Sequence, residues 1–364
     1  MENTHATEGA KKSFSSKHYF ALIILILAVA LSWSFMRPGS NSDAKDKINN
    51  FPKTEKQFVV MGTFARIVIF AEPELAAQAC KTVKDVFKRI ETACNIFNPD
   101  SEVSKLNSTA YDKPFKCSPL LWNMFNSSRL AYDVSEGQFD VTARPLMLLW
   151  GFYRKRGETI PRHKEILDAK AKVGLDKVIF DEKNHTVKFK IKGMSVDFGG
   201  LAKGIAVQVA VRRIKALGVK HGVIDLGGNM YCLGYPPAPR KAYSIGIRNP
   251  LKPKEICAKV KLSNEAVATS GNYERYVTIK GHHYTHIMNP KTGKPVENML
   301  SVTVVNPDAG YADMLSTAVF INGVEYAKRV FNHAPRTGIY IIKRRDDDKS
   351  KIEMIRLGRI DLSE

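Results

Sequence analysis

From about residue 57 to residue 342 the chain mixes short runs rich in Val, Ile and Phe with apolar periods of three to four, and never settles into a strict strand–helix–strand repeat. A parallel sheet needs a long crossover, usually a helix, between paired strands, so this pattern points away from one. The reading is α+β, with a largely antiparallel sheet and flanking helices. Residues 58–70 read as one or two strands, 178–180 with 186–191 as a hairpin around Asn184, and 223–224, 244–247, 277–279, 301–305 and 338–342 as further strands. Helix is expected after Glu72-Pro73-Glu74, where Leu75, Ala79, Val83, Val86, Phe87 and Ile90 keep helical spacing. It is expected again over 120–132, over 201–217 with Gly218 as its stop, and over 312–320 and 324–330.

The first 56 residues are of a different kind. Residues 19–35 form a charge-free, nearly unbroken apolar stretch, preceded by Lys11, Lys12 and Lys17 and closed by Arg37-Pro38. They read as a signal anchor or signal peptide, with an uncleaved anchor favoured, behind a cytoplasmic segment 1–18. Residues 36–56 read as a polar linker, 57–345 as the folded domain, and 346–364 as a charged, peripheral tail. The net charge of +20 suits an anionic partner, but the Lys and Arg residues are spread along the chain. No zinc-finger spacing, aromatic-interleaved basic run or RNA-binding motif is present, so nucleic acid is not the expected partner. The five cysteines contain no CxxC pair, which argues against a zinc or thioredoxin-type centre and for buried thiols.

Four segments carry possible chemistry. Asp197-Phe198-Gly199-Gly200-Leu201-Ala202-Lys203-Gly204 lies between a strand and a helix, where glycines permit close backbone approach and the helix start and Lys203 favour an anion. By itself it reads first as a Gly-rich strand-to-helix turn with a solvated lysine, because it is neither a Walker loop nor GxGxxG. Asp225-Leu226-Gly227-Gly228-Asn229 is a second Gly-Gly turn. His286 stands in a turn ending at Pro295 and has the chemistry of a proton acceptor. Asp313 and Thr317, four apart on a helix, share a face and offer hard oxygen ligands of the kind Mg2+ takes.

Together with further segments, these resemble the ApbE family of FAD:protein FMN transferases. In order along the chain, the matching stretches are Met61-Gly62-Thr63, Phe97 to Glu102 with Asn107, Gly137 to Thr142, Asp197 to Gly204, Asp225 to Asn229, Gly246 to Pro250, Ala268 to Gly271, His286 to Pro295, and Ala312-Asp313 with Thr317. The resemblance implies an ApbE-like fold and transfer of FMN from FAD to a threonine hydroxyl of an acceptor protein, with AMP released. It implies that Met61, Phe97, Gln138, Phe139, Asp140, Asp197, Lys203 and Ile287 contact FAD, and that Asp313, Thr317 and the carbonyl of Gly200 hold Mg2+. His286 is the candidate base. The implied setting is a bacterial inner membrane, with the catalytic domain on the periplasmic side. The implied acceptors are subunits of electron-transfer or ion-translocating flavoprotein complexes. Phe97 stands where many relatives carry Tyr, and Ile205 and Gln208 replace a commoner Tyr and Asp. Hydrolysis of FAD to FMN and AMP, or flavin binding without turnover, are the alternatives.

Overall fold

The computed structural model describes residues 52–363, apart from Lys155, Ala238, Pro239, Pro253, Pro335, Arg359 and Asp361. The apolar stretch 19–35 and nearly all of the linker lie outside the described residues. Among those described, no helix is long and apolar enough to cross a membrane.

Eight strands form the central sheet: β1 Lys53–Val60, β2 Thr63–Phe70, β3 Gly222–Leu226, β4 Asn229–Leu233, β5 Glu265–Gly271, β6 Met299–Asn306, β7 Gly338–Arg344 and β8 Ile352–Gly358. They lie side by side in chain order, and every neighbouring pair is antiparallel. Side chains on a strand alternate between faces, and both faces of this sheet are covered. Tyr231, Leu233, Ala266, Ala268, Ile339 and Ile341 enter the larger core. Their neighbours Cys232, Val267, Tyr340 and Ile342 enter a second core with Tyr243, Ile247 and Val260 of a small three-stranded sheet. A one-residue slip would exchange the two sets, so burial of both faces fixes the register.

Three helices position the site: α1 Pro73–Cys94, α2 Ala202–Ala216 and α3 Ala309–Asn322. The expected stripe on α1 is observed, with Ala79, Val83, Val86, Phe87 and Ile90 buried. Helix α3 is apolar on nearly every side, burying Ala312, Met314, Leu315, Ala318, Val319 and Phe320. A helix of that composition belongs inside a core, and it carries the Asp313 carboxylate in with it.

One end of the sheet collects the turns. Met61 and Gly62 join β1 to β2 with positive φ at both, 53° and 68°, the pairing that matches the twist of a tight hairpin. Met61 is held in that costly conformation by Glu91 of α1, whose Oε1 accepts its N–H at 2.6 Å. Gly227 and Gly228 join β3 to β4 beside it. A Cβ at Gly227 would lie 2.5 Å from Oγ1 of Thr63, so the two turns pack without room for a side chain.

Three expectations need correction. The fold starts at Lys53, inside the segment read as linker, because β1 extends to pair with the whole of β2. The region read as a peripheral tail supplies β8, which pairs with β7 from Gly338 to Arg344, and a short strand Leu362–Ser363 that pairs with Ile256–Leu262. The strand β5 and the helices Glu102–Thr109 and His163–Lys170 are not among the expected elements. Of the five cysteines, Cys80, Cys117 and Cys232 are buried thiols, and Cys94 and Cys257 are half-buried.

Candidate active site

The site is built where α2 and α3 touch. Gly204, in the first turn of α2, faces Asp313 so closely that a Cβ would fall 2.4 Å from Cβ of Asp313 and 2.5 Å from the carbonyl oxygen of Ala309. Glycine is therefore required for packing, and it leaves the peptide N–H of Gly204 free to donate to Oδ2 of Asp313 at 2.7 Å. Asn229, at the start of β4 and only 4% exposed, completes the cluster. Its amide donates to Oδ1 of Asp313 at 3.0 Å, and its oxygen accepts from Nζ of Lys203 at 3.1 Å, the orientation in which both ends are satisfied. Burial pushes the Asp313 carboxyl above its ordinary range; Lys203 and the Gly204 N–H pull the other way.

Thr317 lies one turn further along α3. Its hydroxyl meets that of Ser270 at 3.0 Å, and Ser270 also meets Ser316 at 2.9 Å. Gly200 is exposed in the turn before α2, and a Cβ there would touch the Phe139 ring at 3.2 Å. Asp313, Thr317 and a backbone carbonyl are hard oxygen donors, and the buried carboxylate is one whose charge costs free energy until a cation meets it. Among the described residues no three His, Cys, Asp or Glu side chains stand together as a metal cage. A Mg2+ ion, which keeps waters and needs few protein ligands, fits such a donor set.

His286 is half-buried. Its Nδ1 and its peptide N–H both lie on the carbonyl oxygen of Arg275, at 3.0 and 3.1 Å. A carbonyl only accepts, so the Nδ1 proton is fixed there and Nε2 keeps its lone pair. Burial, with the charges of Lys203 and Arg275 adding to it, lowers the imidazole to about 4. At neutral pH His286 is an uncharged base.

Asp197 carries the other wall. It accepts the Tyr153 hydroxyl on Oδ2 and the Gly199 N–H on Oδ1 at 2.9 Å. The ring of Tyr153 meets that of Phe97 edge-on at 5.9 Å between centroids. Phe97 is itself 66% exposed, an aromatic face open for stacking on a planar ligand.

The remaining expected flavin contacts divide. Gln138 gives its amide nitrogen to Asn322 at the end of α3, and its buried Oε1 has no donor. An orphaned buried acceptor is costly, and an N–H of flavin or adenine would satisfy it. Phe139 is buried against Gly200. Asp140 has a structural task, since its oxygens accept from the peptide and hydroxyl of Thr142 and from the peptide of Leu175. Ile287 is buried, its carbonyl bonded to Val296 at 2.9 Å.

Helix α2 has no side-chain N-cap. Its Ala202 N–H goes to Phe198 and its Gly204 N–H to Asp313, so part of the expected anion cradle is spent inside the protein. Sequence reasoning missed Asn229 as a polar bridge, Tyr153 and Arg275. Asn229 closes the Asp225–Asn229 turn, which is its one signal in the sequence; Tyr153 and Arg275 give none. Gln208, a departure from the family pattern, accepts the Ala309 N–H at 2.8 Å at the start of α3.

The family model described as ApbE family matches residues 61–341. A FAD:protein FMN transferase of Haemophilus influenzae is 29% identical over 79% of this chain and 85% of its own length. One of Klebsiella pneumoniae is 28% identical over 83% and 93%. The ApbE protein of Thermotoga maritima superposes with a TM-score of 0.74 at 28% identity, covering 83% of this chain and 96% of that one. The flavin transferase ApbE of Vibrio cholerae superposes with a TM-score of 0.74 at 23% identity, over 84% and 97%, a likeness of fold. With most of its folded part matched by the family model, this chain belongs to the ApbE family.

Proposed function

We propose that the protein is a FAD:protein FMN transferase that moves FMN from FAD onto a threonine hydroxyl of an acceptor protein. The observation that carries this reading is the fixed imidazole of His286, whose Nδ1 is held on the Arg275 carbonyl so that Nε2 is left to accept a proton, together with the half-buried Lys203 joined through Asn229 to the buried Asp313. A base next to an anion site is what attack on a phosphorus atom needs.

The threonine oxygen bonds to the FMN-side phosphorus, and the bond from that phosphorus to the bridging oxygen breaks. AMP leaves with the bridging oxygen, and the hydroxyl proton passes to Nε2 of His286. Lys203 offsets the charge that repels the incoming oxygen and builds on the leaving phosphate. Asn229 holds Lys203 and Asp313 in one arrangement, which lowers the reorganisation needed at the moment of reaction. Asp313, Thr317 and the Gly200 carbonyl would hold a Mg2+ ion, which would supply further neutralisation of the pyrophosphate. Phe97, Met61 and the free Oε1 of Gln138 bind the flavin nucleotide, with Asp197, Phe139, Asp140 and Ile287 shaping the pocket.

The 19–35 stretch anchors the chain in a bacterial inner membrane with this domain on the periplasmic side. There it would meet acceptor subunits of electron-transfer or ion-translocating flavoprotein complexes. The test follows nucleotides by chromatography, with FAD, Mg2+ and an acceptor domain. One AMP released per acceptor modified supports the reading. AMP with free FMN and an unmodified acceptor replaces it by hydrolysis, and FAD that binds but is never cleaved replaces it by a flavin carrier.

A further inference from the structure

Arg275 follows the end of β5 and immediately precedes the hairpin of Tyr276–Ile279 and His282–Thr285. Its side chain is exposed, and its guanidinium has no hydrogen-bond or ion-pair partner among the described residues. The adjacent Glu274 is turned to another cation, Arg248, at 4.0 Å. The guanidinium instead lies over the Met61-Gly62 turn, where a Cβ on Gly62 would come within 3.4 Å of it. The same residue's carbonyl holds both the Nδ1 and the peptide N–H of His286. Two cations, Lys203 and Arg275, act on His286 electrostatically. Arg275 also acts on Tyr153, the partner of Asp197 and Phe97.

An uncompensated guanidinium at the Met61-Gly62 turn, acting on the same imidazole as Lys203, suits a second anionic group. The substrate of the proposed reaction has two phosphoryl groups, and Lys203 lies beside Asp313, on the side assigned to the metal and the leaving AMP. We propose that Arg275 binds the phosphoryl group that is transferred, while its own carbonyl orients His286 for the attack on that phosphorus. This rests on the transferase reading and deepens it. One residue would then tie the electrophile and the base to the same point of the backbone, and its planar fork suits two phosphate oxygens at once.

The test titrates FAD with Mg2+, and separately riboflavin, which has no phosphate, into full-length wild type, Arg275→Gln and Arg275→Lys. Charge-assisted contacts of this kind predict that Arg275→Gln weakens FAD by about tenfold to a hundredfold and leaves riboflavin unchanged. Arg275→Lys keeps a point charge without the fork, so it should recover part of the loss. It also serves if the glutamine variant does not fold, since it must still lose FAD affinity and spare riboflavin. FAD affinity within twofold of wild type in both variants overturns the assignment. So does riboflavin binding that falls as far as FAD binding, because the loss would then be one of structure. Wild-type protein that binds no FAD overturns the transferase reading itself, and this one with it.

Discussion

Replacing Gly204 with alanine probes the contact on which the site is built. The new methyl carbon would sit 2.4 Å from Cβ of Asp313, 2.5 Å from the Ala309 carbonyl oxygen and 3.1 Å from Oδ2 of Asp313. Carbon contacts relax at about 3.5–4.0 Å, so α2 and α3 must part by roughly 1 Å. The two nearest of these atoms, a Cβ and a backbone oxygen, cannot swing aside. Overpacking of this kind costs about 1–3 kcal/mol, and the better helix propensity of alanine returns about 1 kcal/mol of it. The net loss is of order 1 kcal/mol, a fall in Tm of about 1–2 °C for a domain of this size. Activity should fall much further. Asp313 and Lys203 are joined through Asn229 and the Gly204 N–H, and a 1 Å displacement of reacting groups can cost about a hundredfold in rate. Circular dichroism melts and FMN transfer measured on the same preparations separate the two effects. An unchanged or raised Tm with kcat/KM within twofold of wild type would refute the reasoning that the α2–α3 approach sets the site.

Other outcomes follow from the same geometry. Asp313→Asn removes a carboxyl that burial pushes up but turns an NH2 toward one of its two N–H donors; because a raised folded-state value means the ionised form costs stability as pH rises, the stability deficit of the metal-free variant against wild type should shrink as pH rises. Added Mg2+ should raise the Tm of wild type and not of that variant, and calorimetry that finds the variant equally stabilised removes Asp313 as a ligand. Asn229→Ala leaves Oδ1 of Asp313 without its donor and should lower stability by about 1–3 kcal/mol in denaturant titrations; a loss under about 0.5 kcal/mol would show the bridge to be idle. His286 must be neutral to accept a proton, so kcat/KM should rise from the acid side through about pH 4 and then level; an acid limb near the ordinary histidine value of 6.5 would contradict its environment. His286→Asn should slow transfer by about 10²–10⁴ while FAD affinity changes little, as read by stopped-flow against equilibrium titration.

The sequence makes some parts of this arrangement legible and hides others for physical reasons. Helix α1 is readable because Pro73 marks its start and its buried face keeps a helical period. The turn from Asp197 to Gly204 is readable as a close-approach site, and the structure shows what Gly204 approaches: another helix. Strand β8 is obscured because it is an edge strand with exposed and half-exposed residues throughout, so its pattern looks like a charged tail. β5 reads Glu-Ala-Val-Ala-Thr-Ser-Gly, small residues whose strand character comes from neighbours on both sides rather than from propensity. The candidate ligands Asp313 and Thr317 are legible from their spacing. The Asn229 bridge is not, because it depends on β4 and two helices meeting across roughly a hundred residues of chain. Arg275 and Tyr153 have no local pattern, and only folding brings them to the same rim.

The most direct test of the transferase reading is the mass of the acceptor. The protein would be incubated with FAD, Mg2+ and a candidate acceptor domain, with and without a chelator, and the acceptor analysed by intact-mass spectrometry and threonine mapping. The account predicts a gain of one FMN moiety on a threonine, abolished by chelation and by Asp313→Ala. An acceptor that stays unmodified while AMP and free FMN accumulate would contradict it.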